Sequence, residues 1–217
     1  MSNEAMPYRN LGRCGTKISA VSLGGWTTFG GSVTDRERTK AILTRAFDGG
    51  INFFDIADVY SNGQAEIEMG RVLGELPRNE LVISTKVFGS MSEDVNDRGL
   101  SRKHIMESVE KSLKRIGIDY LDIYFCHRYD KETPLEETAR AMDDLVHQGK
   151  VLQWGASMWS AGQLAEAHGL ADARNLYAPR VEQPQYSLLA RQRFEKDILP
   201  VIERTGMGVV VYSTLAC

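Results

Sequence analysis

Short apolar, β-branched runs recur along the chain at Ala20–Leu23, Ile51–Phe54, Leu81–Thr85, Tyr120–Phe125, Val151–Trp154, Val181–Gln183 and Met207–Tyr212. They repeat at roughly thirty to forty residues, the length of one strand-helix unit. The segments between them carry helical spacing and helix punctuation. Thr34-Asp35-Arg36-Glu37 reads as a capping box, followed by Ile42, Leu43, Ala46 and Phe47 on one face and by Gly49 and Gly50 as terminators. Ser101 opens a helix bearing Ile105, Val109, Leu113 and Ile116 before Gly117. Thr133-Pro134-Leu135-Glu136 repeats the box with proline at the first helical position, ahead of Leu135, Ala139, Met142, Val146 and Gly149. Ser160 with Gln163 opens a further helix.

Nearly continuous apolar strands alternating with amphipathic helices predict a parallel sheet covered on both faces. An open doubly wound sheet and a closed barrel both satisfy this. The stretch Leu23-Gly24-Gly25-Trp26 through Gly30-Gly31 does not match the Gly-x-Gly-x-x-Gly of the first, which favours the barrel. Arg9–Leu11 and Thr16–Ile18, flanking Gly12–Gly15, read as a hairpin ahead of the first barrel strand.

Composition narrows the function classes. A formal net charge of -3 gives no electrostatic ground for a nucleic-acid partner or an anionic membrane surface. No apolar run approaches the roughly 20 residues of a membrane span, and Met1–Asn10 lacks the apolar centre of a secretion signal, so a cytoplasmic location is expected. Cys14, Cys126 and Cys217 have no metal-like spacing and are expected to be free thiols.

In a parallel barrel, reactive groups gather where strands end and the following loops begin. That filter selects Asp55, Tyr60, Lys86 and His127, contributed by three successive strands. An ammonium at Lys86 held against the Tyr60 phenol would favour the phenolate and make the phenol a better acid. Asp55 would keep that ammonium charged, and His127 could orient a carbonyl oxygen or share the proton. Taken singly, Asp55 also reads as a helix cap, Lys86 as a solvated terminus and His127 as an ordinary hydrogen-bonding residue. Lys86 further admits Schiff-base aldolase chemistry, which Tyr60 and Asp55 suit less well than proton tuning.

Asn52-Phe53-Phe54-Asp55-Ile56-Ala57-Asp58-Val59-Tyr60, Ser84-Thr85-Lys86 and Tyr124-Phe125-Cys126-His127-Arg128 resemble the aldo-keto reductases. Gly24–Gly31, Gly99-Leu100-Ser101-Arg102 and Thr133-Pro134-Leu135-Glu136-Glu137-Thr138 make the likeness closest to the branch that holds the β subunits of voltage-gated potassium channels. The resemblance implies a (β/α)₈ TIM barrel, a catalytic set of Asp55, Tyr60, Lys86 and His127, and NADPH-dependent reduction of a small aldehyde or ketone. It carries cofactor contacts onto Gly25, Trp26, Asp55, Ser157, Met158, Gln183 and Tyr212, and onto the loop Ser213, Thr214, Leu215, Ala216 and Cys217. Two positions depart from the family pattern: Met158 stands where many members have asparagine, and Thr214 where they have proline. His127 favours an enzyme over a cofactor-holding regulatory subunit, since the channel subunits carry asparagine there.

The pattern runs through seven strands and ends in the loop that the resemblance wraps around the cofactor pyrophosphate. The expectation is therefore one TIM-barrel domain over residues 1–217, truncated after strand 7, with the 2′-phosphate site outside it. The unpaired edges of such a barrel would favour association, a homo-oligomer included.

Overall fold

The computed structural model describes residues 5–216. A hairpin of β1 (Tyr8–Asn10) and β2 (Lys17–Ser19) precedes a seven-stranded parallel sheet. Its strands are β3 (Leu23–Gly24), β4 (Phe53–Asp55), β5 (Val82–Val87), β6 (Leu121–Cys126), β7 (Val151–Ser157), β8 (Val181–Gln183) and β9 (Gly208–Val209), in spatial order identical to chain order. Helices α1 (Arg36–Asp48), α2 (Gln64–Leu73), α3 (Arg102–Ile116), α4 (Leu135–His147), α5 (Ala161–Arg174) and α6 (Leu199–Thr205) alternate with the strands. This is the architecture of a (β/α)₈ barrel, of which the described residues form seven strands.

The period-two alternation of a strand decides which side chains face which layer. Phe53, Val82, Ile123, Phe125, Val181 and Val210 form an inner cluster together with Leu11 and Ile18 of the hairpin region, which plugs the floor. Phe54, Ile83, Tyr124, Cys126 and Trp154 point the other way and pack with the helices. Gly155 serves the inner layer. A Cβ there would lie 2.6 Å from the Val181 carbonyl oxygen and 2.8 Å from the Phe125 ring, so only glycine leaves room for that ring.

The helices begin and end for local reasons. Ser101 accepts the His104 amide at 3.2 Å, and Gly117 closes α3 at φ 80°. Ser160 and Gln163 form the reciprocal capping box expected for α5. Two expected boxes are corrected. The cap of α1 is Asp35, not Thr34: its carboxylate accepts the Arg38 amide at 2.7 Å, a charge-assisted bond at the positive helix end. Thr133 does not cap α4, because its hydroxyl donates instead to Asp130 at 2.8 Å and α4 starts after Pro134 without a side-chain cap.

Three further differences concern extent. The first barrel strand is reduced from Ala20–Leu23 to Leu23–Gly24, and the last from Met207–Tyr212 to Gly208–Val209, with an isolated bridge between Gln185 and Tyr212. Helix α2 carries no sequence signal of the usual kind, since its start is a tight turn with Ser61, Asn62 and Gly63 all left-handed and its buried face includes Glu66 and Gly70. Likewise α6 continues directly from a widened π-helical turn at Arg193–Ile198, with no capping side chain. No helix among the described residues is long and apolar enough to cross a membrane, and Cys14 and Cys126 are free thiols.

Candidate functional site

The alternation that buries Phe53, Val82 and Phe125 inward also turns the polar strand ends inward. Asp55 lies two residues after Phe53, Lys86 four after Val82 and His127 two after Phe125. Ser157, Gln183 and Tyr212 stand in the same phase beyond Gly155, Val181 and Val210. They meet around a cavity of about 550 Å³ at the carboxyl ends of the strands.

One wall is an ionic chain. The buried Lys86 Nζ donates to Asp55 Oδ2 and to the Ile56 carbonyl oxygen, each at 2.6 Å. Asp55 Oδ1 in turn accepts the Ser84 hydroxyl at 2.5 Å, so both carboxylate oxygens are held. The same ammonium lies 4.8 Å from the centre of the Tyr60 ring, and the His127 ring meets Tyr60 edge-on at 5.8 Å. Tyr60 is placed by the left-handed turn behind it, where Ser61 (φ 48°) and Asn62 (φ 52°) leave the usual backbone region and Ser61 donates to the Phe29 carbonyl oxygen.

Electrostatics sort the roles. Burial would lower Lys86, but Asp55 and the Tyr60 oxygen reverse it and hold the ammonium above its ordinary value. Such an amine has no free lone pair, which opposes Schiff-base chemistry. Burial pushes Tyr60 upward and outweighs the opposing pull of Lys86. The expected net acidification of the phenol is thus corrected: Tyr60 is a protonated phenol whose conjugate base has a cation beside it. His127 is lowered to about 3 by burial, with Lys86 and Arg128 adding to it, so it is a neutral imidazole. A neutral ring can orient an oxygen but has no extra proton to share.

The opposite wall is hydrogen-bonding. Ser157 Oγ donates to the Gln183 carbonyl oxygen at 3.0 Å, while the Gln183 side-chain amide makes no hydrogen bond among the described residues. Trp26, Tyr212, Ser213 and Thr214 also line the cavity. Asp55, Tyr60, His127, Trp26, Ser157, Gln183, Tyr212, Ser213 and Thr214 are therefore brought together, with Lys86 beneath them.

Others are not. Gly25 is a backbone support, donating its amide to the Asp55 carbonyl oxygen at 2.8 Å, and an added Cβ would strike Met69 Sδ. Met158, at φ 61°, faces a separate cavity with Glu182 and Phe194, and Arg193 donates to its carbonyl oxygen at 2.9 Å. Leu215 and Ala216 lie in an exposed turn off the cavity, and Cys217 falls outside the described residues. Lining residues that the sequence reading missed are Ser22, Gly24, Thr27, Val59, Ser61, Arg128, Val210 and Val211. Arg128 could have been found from its place beside His127. Thr27, a β-branched residue at φ 62°, had no signal at all.

The model of the aldo/keto reductase family matches residues 20–217. Among curated proteins, the chain is 49% identical over 213 residues to one from Schizosaccharomyces pombe named "Putative voltage-gated potassium channel subunit beta", covering 97% of this chain and 62% of that protein. It is 47% and 46% identical to proteins from Arabidopsis thaliana and Oryza sativa subsp. japonica, each named "Probable voltage-gated potassium channel subunit beta", again over 97% of this chain and 64% of theirs. The chain thus spans somewhat under two thirds of the length of these relatives. With its family model matched from Ala20 onward, this chain belongs to the aldo/keto reductase family.

Proposed function

We propose that the protein carrying this chain reduces aldehydes or ketones to alcohols with NADPH. The observation behind this is the Tyr60 phenol set between a buried Asp55–Lys86 pair and a neutral His127 at the wall of a cavity. The opposite wall fits a nicotinamide: its carboxamide needs an acceptor and a donor, which the uncommitted Gln183 amide offers beside Ser157, and the Tyr212 ring offers an aromatic face. When bound, NADPH supplies the hydride. The neutral His127 donates a hydrogen bond to the carbonyl oxygen and orients it. Tyr60 gives its proton to that oxygen, and the Lys86 ammonium stabilises the phenolate left behind, with Asp55 keeping the ammonium in place. One proton leaves Tyr60 for each carbonyl reduced and is regained from solvent. The protein would work in the cytoplasm on a small carbonyl substrate.

Replacing Tyr60 with phenylalanine should cut turnover of a reactive aldehyde by roughly 10² to 10⁴ while leaving NADPH affinity, read from nicotinamide fluorescence, nearly unchanged. Undiminished turnover in that variant would remove Tyr60 as the donor. A second reading is favoured by the names of the relatives at 46–49% identity: a cofactor-holding β subunit of a potassium channel. Under it, NADPH binds in the same titration but aldehyde turnover is negligible, and the protein co-purifies with a channel.

A further inference from the structure

The cavity carries one charge that no ion pair among the described residues balances. Besides Tyr212, its ionisable lining residues are Asp55, Tyr60, His127 and Arg128. Asp55 is spent on Lys86, Tyr60 keeps its proton and His127 is neutral. That leaves the guanidinium of Arg128. The nearby Glu182 carboxyl, pushed well above the ordinary carboxyl range chiefly by burial, forms no ion pair with Arg128 among the described residues. Arg128 Nη1 donates to the His127 carbonyl oxygen at 2.5 Å, and Arg128 forms no ion pair among the described residues. The exposed Arg128 lines the same cavity as Tyr60 and His127. Four of its five N–H donors stay uncommitted there, in a planar fork that matches a carboxylate. Arg128 follows β6 next to His127, one strand from Ser157 at the end of β7 and three strands from Ser213 and Thr214 after β9.

We propose that Arg128 is a specificity-determining residue that receives a carboxylate on the substrate, so that the preferred substrates are aldehydes or ketones carrying an acidic group a few atoms from the carbonyl. The inference deepens the reductase reading and rests on it. An arginine on an ordinary solvated surface would show no such selectivity, since exposed ion pairs contribute little. Arg128 is itself exposed, but its fork lines a concave site together with Tyr60 and His127, where no carboxylate among the described residues pairs with it.

The test compares 4-oxobutanoate with its methyl ester in the full-length protein with NADPH, for the unaltered protein, Arg128→Gln and Arg128→Lys. The expected result is a kcat/KM at least tenfold higher for the acid, expressed in KM and weakened by added salt. Arg128→Gln should collapse the acid-to-ester ratio at least tenfold, and Arg128→Lys should retain part of it. Calorimetric binding of 4-hydroxybutanoate to the complex with NADP⁺ should weaken in the same order. The inference is overturned if the unaltered protein reduces acid and ester alike, or if Arg128→Gln slows both equally, which would make Arg128 a general stabiliser of the carbonyl oxygen. If neither compound is reduced, the reductase reading itself falls and this inference with it.

Discussion

Asp58 offers a quantitative test of how the loop bearing Tyr60 is supported. It is fully buried between β4 and α3, its Oδ1 accepts the Val59 amide at 2.7 Å, and the Ser108 hydroxyl approaches Oδ2 at 3.4 Å. Burial is the main cause that raises its pKa to about 7, with the Glu66 carboxylate adding to it and the Val59 amide, Arg115 and Ser108 acting against it. The folded chain therefore holds a proton here between about pH 4 and 7 that the unfolded chain has released, and stability must fall as pH rises through that window and level off above it. The gap between 3.8 and about 7, at about 1.4 kcal/mol per pH unit, is a cost of roughly 4 kcal/mol when the group is fully ionised. Asp58→Asn keeps the oxygen that accepts the Val59 amide and is neutral at every pH. Urea unfolding of the two proteins at pH 5 and pH 8 should show an advantage for Asp58→Asn that is about 3 kcal/mol larger at the higher pH, since at pH 5 only the first part of the window has been crossed. A difference that is the same at both values, or that favours the unaltered protein at pH 8, would refute the buried, protonated carboxyl.

Other outcomes follow from distances already given. His127→Asn exchanges one neutral hydrogen-bonding group for another, so turnover should fall less than in Tyr60→Phe and the pH–rate profile between about pH 5 and 9 should not move; a shifted profile would show that the imidazole titrates there. Gly155→Ala forces a methyl against the Val181 carbonyl and the Phe125 ring, and should lower stability by about 1–3 kcal/mol in denaturant titration, an unchanged midpoint being the contrary result.

The strands were readable because a sheet covered on both faces demands apolar residues at nearly every position, and Val181–Gln183 was placed without error. The residues that meet at the cavity were readable for a related reason: an ionisable group directly after an apolar run, as at Asp55, Lys86 and His127, stands out. Helix α2 was missed because a buried ionic group broke its pattern. Glu66 accepts Thr85 Oγ1 at 2.6 Å and Arg115 Nε at 2.5 Å, so a carboxylate occupies the face where an apolar residue marks a helix. The proton balance of Tyr60 was misjudged because a sequence displays the neighbouring lysine but not the depth of burial that opposes it. Met158 sat at the right strand end, yet its left-handed backbone turns it away from the cavity.

The floor hairpin has a consequence for the order in which the chain folds. Neighbouring strands of the sheet are neighbours in sequence, so each pairing closes a short loop and can form early. The hairpin turn is the exception. Gly12, at φ 60°, lies against the Gly206–Gly208 backbone so closely that any Cβ would collide, and the Arg13 amide donates to the Gly206 carbonyl oxygen at 2.8 Å. These contacts join the two ends of the described chain and close its longest loop, so their entropic cost is repaid only once the intervening units stand. Docking of the floor is thus a late step, and a larger residue at position 12 should speed unfolding far more than it slows folding.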